Sequence, residues 1–402
     1  MERIYSSELV EHVGERVLLA GWVHARRELG GVSFLVLRDR SGLAQVVLEG
    51  PVAFVPESVV EIEGIVMAAE QAPGGVELRA AQVNVLAEPA ERPPLELRRP
   101  ELKETLPMIL DHAPLALRHP QLRARFEVAA ASLYGFRAAL DRLGFTELST
   151  PKIVASATES GANVFALDYF GRRAYLAQSP QFYKQTMVGV FERVYETGPV
   201  FRAELHDTAR HLSEYTSLDA EIGFVRDHFD VMAVARVAVA GMVEAVRELA
   251  PRAVELLEVE LPQVPLEIPW LHFADSGVDD VDLAPADERR LCEEHGEFVF
   301  ITGFPMAKRP FYTHPEPGRS QYSNSFDLLF RGMEIVTGGQ RLHRYEDMWQ
   351  RSAAQRPRTR ATYRRSAMAC LPTAASRSGL SAGWPAWSAR PTSERRHCSR
   401  AT

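Results

Sequence analysis

The sequence predicts an α+β protein in two parts: a small β-barrel, then a domain of helices set around a mostly antiparallel sheet. Three observations carry this. The first ninety residues hold five short β-branched segments separated by Gly-containing or polar turns. Beyond residue 120, segments with apolar residues at helical spacing alternate with paired strand-like segments. The composition, 46% hydrophobic and 25% charged, is that of an ordinary globular chain, and 402 residues are enough for two or three domains.

Over residues 1–90 the barrel strands are RVLLAGWVH, GVSFLVLRD, GLAQVVLE, SVVEIEGIVM and VELRAAQVNVLA. Five strands in that length suit a closed OB-fold. AEPAERPPLELRRPE breaks the pattern with prolines and mixed charge and marks a linker, placed at 91–120. RARFEVAAASLYGFRAALDRLG then reads as a helix capped by Gly144, and FTELSTPKIV as the strand after it. QSPQFYKQTMVGVFERV reads as a helix, and VYETGPVFRAEL with SEYTSLDAEIGFV as a long hairpin. Residues 230–250 form an Ala/Val-rich helix, and FDLLFRGMEIVTGGQR reads as paired strands. This second domain spans 121–347.

No apolar run is long enough to span a bilayer, and MERIYSSELVEHVGER carries charges throughout with no secretion-type core, so a cytoplasmic location is expected. Cys292, Cys370 and Cys398 share no CxxC spacing, which fits a reducing compartment and argues against structural zinc. The net charge of −7 is unevenly spread. Residues 348–402 hold eleven Arg and one acid, Glu394, which leaves −17 on residues 1–347. Any contact of the body with nucleic acid must come from local patches, because its global field repels phosphate.

The chemistry concentrates in VFRAELHDTARHLSEYTSLDAE. Arg202 and Glu204 alternate on one strand, where residues two apart share a face, so they are expected in one cleft. Arg210 and His211 lie in the polar loop, and Tyr215 and Asp219 on the returning strand. In isolation an RxE pair is more often a solvated cross-strand ion pair. Here GFTELSTPKI resembles motif 1, and FRAELHDTARHLSEYTSLD motif 2, of the class II aminoacyl-tRNA synthetases. With QSPQFYKQ, EIVTGGQRLHR and the barrel segment GWVHARRELGGVSFLVLRDRSGLAQVV, the resemblance narrows to aspartyl-tRNA synthetases of the archaeal-like type, from about residue 3 to Asp347.

That resemblance implies activation of aspartate by ATP, a displacement in which the protein supplies positioning and charge stabilisation. It implies that Arg202 holds the α-phosphate and the attacking carboxylate, a bidentate task suited to Arg. Glu204 would accept from adenine, Tyr215 stack on the base, and Arg210, His211 and Leu212 line the ATP site. Glu334 and Thr337 resemble the family's Mg²⁺ ligands, with Thr in place of the usual Ser; the hydroxyl is kept. His314, in RPFYTHPEP, is a further ATP-site candidate. Histidine spacing supports no transition-metal site.

For the amino acid, the resemblance implies Lys184 and Arg341 as partners of the side-chain carboxylate, with Gln181 beside them and Thr337 adjoining. Glu159 and Asp219 are candidates for the α-ammonium group. A carboxamide would leave the Lys184 charge unmet, so an asparaginyl enzyme is disfavoured. A lone helix Lys is more often a snorkelling residue. In the barrel, Phe34 and Gln45 match the family's anticodon residues, with Arg26 a further contact. An aromatic on a strand face suits an unstacked base, although an isolated Phe is by default core. His24 and Pro73 stand where aspartate-specific relatives tend to have Trp and Lys. Their presence implies a non-discriminating enzyme that charges tRNA-Asp and tRNA-Asn, the latter product passing to an amidotransferase. A homodimer through motif 1, with Pro151, is also implied.

Residues 348–402 contain no Val, Ile, Phe, Lys, Asp or Asn, yet hold three of the chain's five Trp. A family member is expected to continue with motif 3 and its Arg, which have no counterpart here. A basic arm binding tRNA and a separate small domain are two readings. The third is a shifted reading frame. Starting each codon one base upstream permits Tyr-Val-Ala-Ala-Leu at DMWQRS, and Leu-Ala-Gly-Leu-Glu-Arg at GWPAWSA. The same shift permits an end in Leu-Phe-Pro-Arg-Asp, consistent with one nucleotide lost near codon 347. On that reading the protein is expected to be poorly soluble, with core exposed around FDLLFRGMEIV, and an inactive tRNA-binding paralogue is the alternative function.

Overall fold

The computed structural model describes residues 2–155, 164–203, 212–355 and 373–379, with main chain alone at 352–355 and 373–379. The chain divides into two compact units between Arg123 and Ala124. In the first, β1 (Arg16–Leu29), β2 (Val32–Arg38), β3 (Leu43–Glu49), β4 (Val59–Ala68) and β5 (Val76–Ala87) close a barrel in the order β1-β2-β3-β5-β4. The two-residue alternation decides which side chains fill it. Leu19, Val23, Leu35, Leu37, Val46, Val60, Ile62 and Leu78 point inward and are at most 1% exposed. Each contributes about 1.5–3 kcal/mol by leaving water. β1 and β2 are joined through Gly30 and Gly31, at φ 59° and 87°, the left-handed pair that a tight hairpin needs.

Two short helices follow, α1 (Leu106–Asp111) and α2 (Ala113–Ala116). Leu95, Leu97, Ala116 and Leu122 gather into a small apolar cluster there, and Arg118 pairs with Glu57 at 2.6 Å. Glu57 is also held bidentately by the buried Arg38 at 2.8 and 2.9 Å.

Helix α3 (Pro120–Arg142) opens on a proline, favoured at a first helical position, and Gly144 at φ 77° follows its end. Then come β6 (Thr146–Glu147), β7 (Ile153–Val154), β8 (Ala166–Tyr169), β9 (Arg172–Leu176), α4 (Gln181–Phe191), β10 (Arg193–Phe201) and β11 (Glu214–Gly223). Helix α5 (His228–Leu249) is N-capped by the Asp227 side chain, and α6 (Pro251–Leu256) follows. Next are β12 (Trp270–His272), α7 (Pro285–His295), β13 (Phe298–Thr302), β14 (Pro315–Glu316) and β15 (Arg319–Ser323). β16 (Ser325–Phe330), β17 (Met333–Gln340), α8 (Tyr345–Gln355) and β18 (Thr373–Gly379) complete the unit.

Eight of these strands form one sheet, ordered β12-β13-β16-β17-β18-β11-β10-β6, antiparallel except where β12 meets β13 and β10 meets β6. One face is apolar. Leu218, Ala220, Ile222, Phe326, Leu328, Phe330 and Val336 pack there against Phe136 and Leu140 of α3 and Val231, Ala235 and Val239 of α5. α3 and α5 approach almost backbone to backbone, since a Cβ on Gly135 would lie 2.4 Å from the Gly241 carbonyl oxygen.

Two expectations are corrected. FTELSTPKIV is not one strand: β6 and β7 are two-residue pieces belonging to different sheets. Between them Thr150 turns its N–H and hydroxyl onto the buried Glu196, at 2.7 and 2.8 Å, and Pro151 cannot donate to a ladder. The expectation that Arg202 and Glu204 share a strand face falls outside what is described: β10 stops at Phe201 and Glu204 is not among the described residues. The core around FDLLFRGMEIV is also not left exposed. β18 pairs with β11 on one side and β17 on the other, and Phe326, Leu328 and Phe330 stay fully buried. Main-chain groups lining that gap require partners, and a strand satisfies them largely irrespective of its side chains.

Candidate active site

The site lies on the polar face of the large sheet, and the same alternation that feeds the core builds it. Between Leu218, Ala220 and Ile222 stand Ser217, Asp219 and Glu221, all three buried. α4 carries Gln181 and Lys184 one turn apart, at 2% and 0% exposure. Lys184 Nζ lies 2.8 Å from Asp219 Oδ1 and 3.6 Å from Glu221 Oε2. Ser217 Oγ donates to the other Asp219 oxygen at 2.5 Å. Gln181 Nε2 donates to Glu221 at 3.3 Å, and Gln181 Oε1 accepts from Arg341 Nη2 at 3.2 Å. Arg341 also stacks over Tyr312, its guanidinium carbon 4.6 Å from the ring centroid, while its Nε is buried without a partner. Lys184, Arg341, Gln181 and Asp219 thus come together. Lys184 is not a snorkelling helix lysine.

A second group occupies β16 and β17. Thr337 donates to Asp327 Oδ1 at 2.6 Å, and Arg309 holds the other Asp327 oxygen at 2.9 Å while lying 4.0 Å over the Phe304 ring. Glu334 is exposed on β17. Desolvation by the protein around its carboxyl, then the Asp327 charge, pushes its pKa up to about 8. Adjoining carboxylates and a hydroxyl leave negative charge poorly balanced, and hard oxygens of this kind fit Mg²⁺. Among the described residues, no group of three or more acids, His or Cys forms a metal site by itself.

Arg202 follows β10, its N–H donating to the Ser213 carbonyl at 2.8 Å, and its guanidinium lies 5.8 Å from the Tyr215 ring centroid. Leu212 is exposed. Glu159, Glu204, Arg210 and His211 lie outside the described residues. His314 is tied to the Pro315 carbonyl at 2.7 Å and stacks in parallel on His343, 5.8 Å away; burial lowers its pKa.

On the barrel, Phe34 is half-buried on the outer face between the inward Ser33 and Leu35, so it is not a core residue. Gln45 Nε2 donates to Glu77 at 3.0 Å. Arg26 is held by the carbonyls of Val52 and Phe54, and Arg27 is the basic residue opposite Phe34 in register. His24 is 8% exposed beside Arg38, and Pro73 opens an exposed turn.

Sequence reasoning passed over Glu221, Asp327, Arg309 and Ser217. A signal for two of them exists. Asp327 is the lone acid in SFDLLF, and Glu221 repeats Asp219 at the strand period between apolar residues; acids on a strand with an apolar opposite face invite the reading of a solvated face.

Comparison with known proteins agrees with this arrangement. Residues 106–372 match the family described as tRNA synthetases class II (D, K and N), and residues 17–86 match the OB-fold nucleic acid binding domain. A Deinococcus radiodurans protein named Aspartate--tRNA(Asp/Asn) ligase is 44% identical over 365 residues, 86% of this chain and 84% of its own. The Thermus thermophilus protein of the same name is 44% identical over 360 residues, covering 86% and 85%. Among solved structures, asparaginyl-tRNA synthetase from Pyrococcus horikoshii with asparaginyl-adenylate superposes with a TM-score of 0.89 at 30% identity, over 96% of this chain and 95% of that one. Two family matches in the expected order, on a barrel and a mixed sheet of the expected kind, show that the chain belongs to the class II tRNA synthetases of the D, K and N group.

Proposed function

We infer that the chain is an aspartate–tRNA ligase that activates L-aspartate with ATP and transfers it to tRNA-Asp and to tRNA-Asn. The observation that carries this is Lys184, a fully buried cation in the amino-acid pocket, in a chain 44% identical to two Aspartate--tRNA(Asp/Asn) ligases. Lys184 is already paired with Asp219 at 2.8 Å, so what favours aspartate over asparagine is that a carboxylate takes charge-assisted hydrogen bonds from Lys184 and Arg341 together, which a carboxamide makes more weakly.

In this reading Arg202 positions the aspartate α-carboxylate against the α-phosphate, with Tyr215 carrying adenine and Glu204, Arg210, His211 and Leu212 completing the nucleotide site. Lys184 and Arg341 hold the side-chain carboxylate, Gln181 orients Arg341, and Asp219 and Glu159 take the ammonium group. Glu334 and Thr337 would hold Mg²⁺, which supplies charge neutralisation on the phosphates. Phe34 and Gln45 read the anticodon, with Arg26 behind them, and His24 and Pro73 leave its third base undiscriminated. The exposed Phe126 and Tyr134 of α3 support a homodimer through motif 1. Among the described residues no helix is long and apolar enough to cross a membrane, and the reading places the protein in the cytoplasm, with an amidotransferase acting on its Asp-tRNA-Asn. We further read residues 348–402 as a shifted frame; sequencing the DNA around codon 347 and finding it intact would remove that.

ATP–pyrophosphate exchange tests the activity, with aspartate expected to drive it and asparagine not. Charging of both tRNA transcripts tests the substrate range. Exchange driven by asparagine, or no aspartate on tRNA-Asn, would sink the corresponding half of the reading.

A further inference from the structure

Among the described residues, the four buried charged side chains of the amino-acid pocket balance one another when all are ionised. Lys184 and Arg341 bring two positive charges and Asp219 and Glu221 two negative ones, and none of the four is more than 9% exposed. Aspartate adds one net negative charge, because its α-ammonium and α-carboxylate cancel; asparagine adds none. An uncompensated charge in so dry a place is strongly unfavourable, and the usual escape is a change of protonation.

We propose that aspartate binding is coupled to the uptake of one proton by Glu221, which makes this residue a determinant of the pocket's choice between carboxylate and carboxamide. The inference rests on the reading of the Lys184 pocket as the aspartate site. Geometry selects Glu221 over its neighbour. Asp219 has a close ion pair at 2.8 Å and a hydroxyl donor at 2.5 Å. Glu221 sits 3.6 Å from the same ammonium, and its amide contacts from Gln181 are long, at 3.3 and 3.5 Å.

The other charged groups around it among the described residues are these. Lys184 faces it from α4, Asp219 from its own strand, and Arg341 from the end of β17. Glu196 of β10, opposite Asp219, is held by Lys152 and Thr150. On β18, Ala375 stands opposite Glu221 and Arg377 opposite Asp219. Burial raises the Glu221 pKa against the pull of Lys184 and Arg341. An incoming carboxylate adds to that rise. Once protonated, Glu221 keeps an oxygen for the Gln181 amide and gains an O–H to offer the substrate.

Calorimetry on the full chain tests this. Aspartate and asparagine are titrated in two buffers of different ionisation enthalpy between pH 6 and 9. The expected result is uptake of close to one proton with aspartate and none with asparagine, and an aspartate Kd that weakens toward tenfold per pH unit at the alkaline end. Glu221→Gln should abolish the uptake and flatten the pH profile, which a merely structural role would not do. Aspartate binding without proton exchange overturns the inference while leaving the pocket assignment standing. Failure to bind aspartate at all overturns the assignment, and the inference with it. The wild-type measurement decides the matter even if the variant does not fold.

Discussion

Arg38 Nη1 donates to Nδ1 of His24 across 3.2 Å. An Arg has no acceptor, so the neutral imidazole must carry its proton on Nε2. Burial, then the Arg38 charge, lowers the His24 pKa to about 4, and the ring stays neutral at physiological pH. His24 therefore presents a fixed hydrogen-bond donor. Long-range ¹⁵N spectra of the ring should report the Nε2–H tautomer from pH 6 to 8. His24→Trp should reduce charging of tRNA-Asn relative to tRNA-Asp by roughly tenfold, about 1.4 kcal/mol. Equal charging by the variant would count against His24 as the residue that leaves the third base unread.

The partner of that arginine makes the barrel acid-sensitive. Burial alone would raise the Glu57 pKa, but hydrogen bonds from Arg38 and Arg118 outweigh it and hold the carboxyl below its ordinary value. Its contribution to stability is then complete above the unfolded value, about 4.3, and is lost as pH falls through the lower folded value. Glu57→Ala strands the buried Arg38 and should cost about 3–5 kcal/mol, measured by urea unfolding at pH 7. The deficit relative to wild type should shrink as pH is lowered below 4.

Lys184→Ala leaves Asp219 and Glu221 buried 0–1% exposed without their shared cation. The expected outcome is loss of about 3–5 kcal/mol, seen both as a lower melting temperature and as aspartate-dependent pyrophosphate exchange falling at least a hundredfold. Unchanged exchange would remove Lys184 from the pocket's chemistry.

Phe34 stands on the outside of the barrel, where its truncation disturbs no core contact. Phe34→Ala should weaken binding of an anticodon stem-loop by about 1–3 kcal/mol, measured by fluorescence anisotropy, with the barrel's melting unchanged. A destabilised barrel with undiminished RNA binding would instead make Phe34 a packing residue.

Gly135→Ala places a methyl 2.4 Å from the Gly241 carbonyl oxygen and 2.7 Å from the Ala245 side chain. Neither helix can yield without moving its backbone, so a loss of about 1–3 kcal/mol is expected, against the gain in helix propensity that Ala ordinarily brings. A stabilised variant would mean that α3 and α5 separate easily.

The barrel was legible because most of its strands alternate, as in β3 and β4, where each inward apolar residue is followed by a half-buried or exposed one. Lys184 was legible only through its neighbours in QSPQFYKQ, since a helix lysine has no periodicity that marks it as buried. Motif 1 misled because a β-rich run gives no sign that Thr150 will bind Glu196, forty-six residues away. Glu221 and Asp327 were missed for a related reason. Their strands are buried on both faces, one by helices and the other by the site itself, and local pattern does not tell an acid facing water from an acid facing a pocket. The pairing of β18 was illegible in TAASRSG, because what places that strand is the pair of backbones beside it.

That strand also acts as a ruler. β11 carries Asp219 and Glu221, and β17 carries Glu334 and Thr337 and leads into Arg341. With β18 between them, the two edges stand two interstrand steps apart, about 10 Å. Direct pairing of β11 with β17 would halve the spacing and press Asp219 and Glu221 toward Glu334 and Thr337. The separation of these two acidic groups is therefore set by the thickness of one polypeptide backbone, a dimension that no side-chain substitution in the strand can alter.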